Sequence, residues 1–149
     1  MQHKVKEVRL KNGVTGLLID IPQAQVMNYD FSLRAGYYLA EEGKWETPHV
    51  MEHLLCGANQ KYRKARTFEA EVKKNGAYTN AYTSTYNVGY VGECADFEWD
   101  RILDLLLLSI SQPMFLQEEF TAEMGNVREE LTGYLTNYFR QLGVALSER

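Results

Sequence analysis

The sequence predicts an α+β fold in which an antiparallel-dominated sheet has helices packed on one side. Three segments with strand-like patterns precede the first helix signal, and the later signals do not alternate in the regular order of a parallel α/β fold. The last third of the chain repeats apolar residues every three or four positions, which is typical of an amphipathic helix.

The composition is that of one ordinary globular domain. The chain has 149 residues, of which 45% are hydrophobic and 24% charged, and no repeat or linker divides it, so we expect residues 1–149 to form a single domain. The net charge of −4 argues against nucleic-acid and membrane-surface partners, because surfaces rich in phosphate normally bind proteins with excess positive charge.

Cysteine content and hydropathy indicate the compartment. Cys56 and Cys94 are too few for a disulfide framework, and we expect both to be small buried residues. The N-terminus lacks the apolar run of a signal peptide. The most apolar segment, residues 102–110, is shorter than the ~20 residues of a membrane span. We therefore expect a cytoplasmic protein.

The first third of the chain is predicted to be strand. Residues 4–10 alternate charged and apolar side chains, and an Asn-Gly pair at 12–13 supplies the turn into the apolar residues 17–19. This pattern predicts a hairpin. A third strand is predicted over residues 26–35, where alternate side chains are aromatic or aliphatic.

Two helices are predicted to follow. Thr47 and Pro48 indicate the start of the first, with Thr47 as the capping hydroxyl and the proline at the first helical position. This helix should end at Gly57. Thr67 is expected to cap a second helix over residues 68–74.

The rest of the chain returns to strand and then to helix. Residues 77–83 and 88–92 are rich in Tyr, Thr and Val, which favours strands. Residues 96–110 are apolar on nearly every side, which predicts a helix covered on more than one face. A long amphipathic helix is predicted to carry an apolar stripe of Leu116, Phe120, Met124, Val127, Leu131, Tyr134, Tyr138 and Leu142.

Two histidines and a glutamate in the first helix have the spacing of a metal site. His49 and His53 are one helical turn apart, and Glu52 lies between them in angle. Zinc binds neutral imidazole nitrogens at about 2.0–2.1 Å, so two histidines on successive turns supply half of a tetrahedral site. Glu52 is then placed to act as a general base on zinc-bound water.

A catalytic zinc ion needs a third protein ligand, which is commonly a carboxylate. Glu123 and Glu130 on the predicted final helix are seven residues apart. Seven residues correspond to about 700° around the helix axis, roughly 20° short of two turns. Both therefore lie on one face beside the apolar stripe, and both are candidates. Glu129 lies further from the stripe, and we expect it to be solvated.

These residues resemble the pitrilysin or insulysin family of zinc metallopeptidases, which includes the mitochondrial processing peptidase. His49, Glu52 and His53 match the family's inverted His-x-x-Glu-His motif. The resemblance implies that Glu130, 77 residues after His53 (130 − 53), is the third zinc ligand. It further implies that Glu52 and Glu123 serve catalysis, Glu52 by activating water and Glu123 by supporting the site without binding the metal.

The resemblance extends to a strand that binds substrate. Residues 76–83 are similar to the family's edge strand that pairs with extended peptide, which implies that Asn80, Ala81 and Tyr82 bind substrate. An exposed strand edge can capture a peptide by β-augmentation. The alternative for Asn80 is an ordinary strand-end asparagine. Other segments that match the family are residues 10–13, 34–36 and 112–115.

The resemblance also has implications for size and partners. The family's domain continues beyond the long helix, and its enzymes pair such domains into a clamshell. The chain is thus expected to be a pitrilysin-like metallohydrolase half-domain, truncated at its C-terminal end. Its substrate would be a peptide or unfolded polypeptide. A second copy of the chain or a partner subunit would supply the other half of the clamshell.

Three functions are consistent with these patterns. The leading hypothesis is a zinc-dependent metalloendopeptidase. The first alternative is a non-catalytic peptide-binding or scaffold subunit. The second alternative is a structural zinc site, which would need four protein ligands, and no fourth ligand is evident in the sequence.

Overall fold

The computed structural model describes residues 3–147, which form two antiparallel sheets and five α-helices. Short 3-10 turns at Tyr37–Leu39 and Asp96–Glu98 precede α1 and α3. The elements in chain order are β1 (Lys4–Arg9), β2 (Thr15–Asp20), β3 (Val26–Leu33), α1 (Thr47–Leu55), α2 (Ala65–Lys73), β4 (Tyr78–Thr83), β5 (Val88–Ala95), α3 (Trp99–Ser111), α4 (Gln117–Thr136) and α5 (Tyr138–Ser147).

The larger sheet has the strand order β3-β5-β4, and both pairings are antiparallel. Its register places Tyr90 on the central strand opposite Phe31 of β3 and Ala81 of β4. β4 therefore lies at one edge of this sheet. β1 and β2 form a separate hairpin, as the sequence predicted.

Helices α1, α2 and α3 pack on one face of the larger sheet, which confirms the predicted α+β architecture. Helix α3 packs closely against β5 at Gly92. A Cβ added to this glycine would lie only 2.6 Å from a methyl carbon of Leu106. The residues of the two buried clusters are Phe68, Val72, Ala77, Cys94, Ile102, Leu105 and Leu106 in one, and Leu55, Val88 and Tyr90 in the other.

Two helices begin earlier than predicted. Helix α1 is preceded by Glu46 in the capping position, not Thr47, because the carbonyl of Glu46 accepts the first helical hydrogen bond from Val50 N–H at 2.9 Å. Helix α2 begins at Ala65, so the predicted cap Thr67 lies inside it. The N–H of Ala65 is 3.4 Å from a carboxylate oxygen of Glu119 on α4. A distant element therefore supplies the acceptor for one of the N–H groups that have no partner within the helix.

The predicted final helix is in fact two helices, α4 and α5. Asn137 adopts an extended conformation between them, and its side-chain oxygen accepts the N–H of Arg140 at 3.1 Å. Asparagine is a good capping residue, so the chain restarts as a new helix at this point. The apolar stripe continues across the break, which is why periodicity alone did not detect it.

The two cysteines differ in their surroundings. Cys94 is buried beneath α3, but Cys56 is exposed, so the expectation of two buried thiols was wrong for Cys56. Cys56 directly follows α1, four residues after Glu52, and therefore lies on the same side of the helix as Glu52. Within residues 3–147, no helix combines the length and the apolar character needed to cross a membrane.

Candidate metal centre

Helix α1 separates the core from the candidate metal site. Its buried residues Leu54 and Leu55 anchor the helix, and Leu55 packs against Val88 and Tyr90 of β5. At 100° per residue, His49 and His53 lie on the side of the helix away from Leu55. Burial of one side of α1 therefore directs both imidazole rings toward α4.

Three donor atoms meet between α1 and α4. The Nε2 atom of His49 lies 3.2 Å from Nε2 of His53 and 3.2 Å from Oε2 of Glu130. The Nε2 atom of His53 lies 3.7 Å from the same oxygen. Zinc ligands at about 2.0–2.1 Å in tetrahedral geometry are about 3.3–3.4 Å apart, so the spacing of these atoms fits one zinc ion.

The other nitrogen of each ring is bound to a carboxylate. His49 Nδ1 lies 3.0 Å from Oε2 of Glu46, and His53 Nδ1 lies 3.0 Å from Oε2 of Glu123. Carboxylates only accept hydrogen bonds, so each Nδ1 is placed to donate to a carboxylate, and that tautomer directs the two Nε2 lone pairs toward each other. A cation between them removes that repulsion, and the donor set therefore suits a divalent metal.

The antiparallel packing of α1 and α4 distinguishes the two candidate glutamates. Glu130 reaches the Nε2 side of the rings, whereas Glu123 lies behind His53 at Nδ1. Asn126 donates to the Glu123 carboxylate at 3.1 Å. The side chain of His49 is 7% exposed and that of Glu130 is 44% exposed, so the site opens to solvent on the side of Glu130. Glu129 is exposed, as expected.

Glu52 lies beside the donor cluster and contacts the sheet. Thr83, the last residue of β4, donates a hydrogen bond from Oγ1 to Oε2 of Glu52. This contact fixes one oxygen of the carboxylate between α1 and the strand edge. Sequence reasoning missed Thr83, because a threonine at a strand end carries no signal of a partner 31 residues away.

The carboxylates also affect two neighbouring groups. Although Cys56 as a whole residue is exposed, desolvation of its thiol, with added repulsion from Glu52 and Glu123, raises the pKa of that thiol to about 12. Burial and the nearby Cys56 and Glu52 raise the pKa of Tyr90. Among the described residues, the donor atoms of His49, His53 and Glu130 all lie within 4.8 Å of one another. Cys56 does not belong to this group.

The residues expected to bind substrate lie on β4, which leads to Glu52 through Thr83. Side chains alternate along a strand, so Ala81 faces the helices while Asn80 and Tyr82 face the opposite side of the sheet. The Tyr82 ring covers Gly89, where an added Cβ would lie 2.2 Å from it. The structure thus brings the strand to the site but directs the side chains of Asn80 and Tyr82 away from it.

Most of the chain matches a known protein family. The insulinase family, peptidase family M16, matches residues 40–146 of the chain. The chain belongs to this family. Its matched region contains α1, the strand edge of β4 and helix α4, the elements that form the candidate metal centre.

Individual relatives of this insulinase-family chain are proteases. Insulin-degrading enzyme-like 2 of Arabidopsis thaliana is 25% identical over 129 residues, and the match covers 87% of the chain. Mitochondrial-processing peptidase subunit beta of Neurospora crassa is 30% identical over 103 residues, or 69% of the chain. The crystal structure of pitrilysin superposes on 89% of the chain with a TM-score of 0.80 at 25% identity.

The insulinase-family chain is much shorter than these relatives. It spans 13% of the Arabidopsis protein, 21% of the Neurospora subunit and 14% of the pitrilysin chain. The similarity therefore concerns one part of each relative.

Proposed function

We propose that the chain is the metal-binding part of a zinc-dependent metalloendopeptidase that hydrolyses peptides bound in extended form. The observation that carries the proposal is the spacing of 3.2–3.7 Å among the donor atoms of His49, His53 and Glu130. Membership of a peptidase family supports the same class of reaction.

His49, His53 and Glu130 would hold the zinc ion. A bound zinc ion would supply electrophilic activation, by lowering the pKa of water toward about 7 and polarising the scissile carbonyl. Glu52 takes the proton from the attacking water and later returns it to the leaving amine nitrogen. Thr83 keeps the Glu52 carboxylate in place during both transfers.

Glu123 supports catalysis through His53. Its carboxylate accepts the Nδ1 proton, which orients the ring and leaves the Nε2 lone pair free for a metal. The arrangement requires no contact between Glu123 and the metal.

The free edge of β4 would bind the peptide as an added strand. Backbone groups of Asn80, Ala81 and Tyr82 would pair with the substrate main chain, so binding would depend little on peptide sequence. The substrate class is therefore a peptide or an unfolded polypeptide in extended form, not nucleic acid or a membrane surface. A cytoplasmic location stays a prediction.

A partner would cover the exposed hairpin of the chain and the other side of the peptide. On the β1–β2 hairpin, the exposed fractions are 55% for Val5, 65% for Leu17 and 59% for Ile19. A two-stranded hairpin whose apolar residues are uncovered is only marginally stable in water. A second copy of the chain or another subunit would cover such a surface. Sedimentation velocity should detect concentration-dependent association, and a stable monomer with full activity would contradict this part of the proposal.

Hydrolysis of a quenched fluorescent peptide mixture tests the main proposal. We expect cleavage that a zinc chelator abolishes and that added zinc restores. A chain that cleaves at the same rate in excess chelator would not be a zinc peptidase.

The second candidate is a non-catalytic peptide-binding or scaffold subunit. It is favoured by the exposed apolar side chains of Val5, Leu17 and Ile19 on the β1–β2 hairpin, because a scaffold subunit would bury such a surface against its partner. Peptide binding by the zinc-loaded chain without cleavage, at every concentration and with candidate partner subunits, would support it. X-ray absorption that shows a zinc-bound sulfur would instead indicate a closed structural site involving Cys56.

A further inference from the structure

We propose that Glu46 is a positioning residue that prepares His49 for metal binding, an inference that rests on the zinc site of the proposed function. The Glu46 carboxylate lies 3.0 Å from Nδ1 of His49. Glu46 occupies the capping position of α1, yet its side chain makes no capping hydrogen bond to the helix. Its carboxylate is directed to the imidazole ring.

The two histidines are held in equivalent ways by different elements. Glu123 binds Nδ1 of His53 from α4, whereas Glu46 binds Nδ1 of His49 from the start of the same helix, three residues before it. Each ring therefore has one carboxylate behind it and one Nε2 atom directed at the centre. His49 is the more buried of the two rings, so its Nδ1 proton depends more on a protein acceptor.

The hydrogen bond determines which nitrogen can bind a metal. A neutral imidazole carries one proton, and only the other nitrogen has a free lone pair. Because the Glu46 carboxylate accepts and cannot donate, it favours the tautomer with the proton on Nδ1 and the lone pair on Nε2. It also fixes the orientation of the ring, so that Nε2 points toward the metal position. Glu46 thus acts on the metal through His49 without touching it.

A role in helix stability is the competing explanation, since any carboxylate near a helix N-terminus interacts favourably with the helix dipole. That role needs only charge and requires no particular contact with His49. The two explanations differ in what they predict for the ring proton and for zinc affinity.

Three variants of the chain separate them. Glu46→Ala removes the acceptor, and Glu46→Gln keeps an acceptor oxygen while removing the charge. Glu42→Gln removes the same charge from an exposed residue in the same loop and serves as the control. Thermal unfolding in excess chelator shows whether each variant retains its fold.

Zinc affinity, measured by competition with a chromogenic chelator, is the first measurement. We expect Glu46→Ala to bind zinc about 10–100-fold more weakly than the unmodified chain. Glu46→Gln should be intermediate because its amide oxygen still accepts the Nδ1 proton. Glu42→Gln should bind as the unmodified chain does.

The second measurement is proton NMR of the histidine rings in the zinc-loaded chain. The sequence has only three histidines, so His3→Gln and single ligand variants assign the signals. A ring N–H held by a carboxylate exchanges slowly with water. We expect Glu46→Ala to lose or shift the Nδ1 proton signal of His49 and to leave that of His53 unchanged.

The outcomes distinguish this inference from the proposed function. Zinc binding by the unmodified chain that Glu46→Ala weakens no more than Glu42→Gln, with the His49 signal unchanged, would overturn the role of Glu46 alone. Absence of zinc binding by the unmodified chain would overturn the proposed function and this inference with it. If Glu46→Ala does not fold, the same two measurements on Glu46→Gln decide.

Discussion

At the scale of single residues, the site depends on how each acidic side chain is used. Glu130 faces the Nε2 atoms, Glu123 and Glu46 accept protons from the Nδ1 atoms, and Glu52 stands beside the cluster with Thr83. One residue type thus appears in three chemical settings, as a ligand candidate, as an acceptor behind a ring and as a base candidate. The differences arise from position and not from side-chain chemistry.

Replacement of Glu52 by glutamine tests the base. The amide cannot take a proton, so we expect hydrolysis to fall by about 10²–10⁴-fold. Zinc affinity should stay the same, since Glu52 is not among the three donor residues. Steady-state cleavage and zinc titration check both statements, with Glu129→Gln, an exposed carboxylate on α4, as control. Cleavage by Glu52→Gln at the parent rate would exclude Glu52 as the base.

Thr83→Val removes the hydroxyl that holds Glu52 while retaining a similar shape. A hydrogen bond to a charged group contributes about 1.5–3 kcal/mol, so we expect kcat/KM to fall by roughly 10–100-fold with no change in zinc affinity. Thr79→Val is the matched control, because Thr79 lies on the same face of the same strand. Equal losses in the two variants would mean that strand packing, and not the hydrogen bond, is responsible.

At the scale of elements, the segment after β3 holds the end of β4 in position. Gly36 N–H donates to the carbonyl of Tyr86 at 3.0 Å, and Tyr37 N–H donates to that of Ser84 at 3.1 Å. These bonds fasten the turn between β4 and β5, which directly follows Thr83. The position of Thr83 relative to Glu52 therefore depends on this contact between backbones.

Gly36→Ala should disrupt that contact. The new Cβ would lie 2.4 Å from the Ser84 carbonyl oxygen and 2.4 Å from the Tyr86 carbonyl carbon, and backbone atoms cannot move aside as a flexible side chain can. We expect destabilisation of about 1–3 kcal/mol or more, which lowers Tm by roughly 2–4 °C per kcal/mol. Thermal unfolding measures the change.

The control for this prediction is Gly133→Ala on α4, where no atom lies within 4 Å of the added Cβ. Alanine is favoured over glycine in a helix by about 1 kcal/mol, so this variant should be as stable as the parent or more so. If Gly36→Ala unfolds at the parent temperature, the loop and turn are less tightly fastened than the distances indicate.

Local sequence patterns predict only some of the helix boundaries. The Thr-Pro pair correctly indicated where α1 begins to within one residue, but the acceptor at the start of α2 is Glu119 from α4. The break at Asn137 interrupts an apolar stripe that looks continuous in the sequence. Contacts from other elements, which a local pattern does not contain, determine these boundaries.

At the scale of the whole molecule, the site joins parts of the chain that are distant in sequence. His53 contacts Glu123 across 70 residues, and His49 contacts Glu130 across 81 residues. A zinc ion at this point would therefore link α1 and α4. Such a link should stabilise the fold, because the unfolded chain has no preformed site.

Zinc should raise the unfolding temperature. At a free zinc concentration of about 100 times Kd, binding contributes about 2.7 kcal/mol, which corresponds to a shift of roughly 5–11 °C for a domain of this size. Scanning calorimetry with and without zinc measures the shift. His53→Gln should abolish it, and His3→Gln, which lies outside the donor group, should retain it. An equal shift in both variants would place zinc elsewhere.

Several features follow from the sequence by itself. The α+β class, the β1–β2 hairpin and the common face of His49, Glu52 and His53 all result from spacing within one element. Helical and strand geometry convert such spacing directly into direction. The resemblance of the motif to a peptidase family also required no structure, and the family was confirmed by the match over residues 40–146.

The tertiary structure decided what lies between elements. It distinguished Glu130 from Glu123, which are nearly equivalent in angle on α4, because the packing of α1 against α4 brings one to Nε2 and the other to Nδ1. It likewise revealed Glu46 and Thr83 as partners of His49 and Glu52. The physical reason is that contacts across elements depend on how the core positions whole helices and strands, and spacing along the chain does not encode that placement.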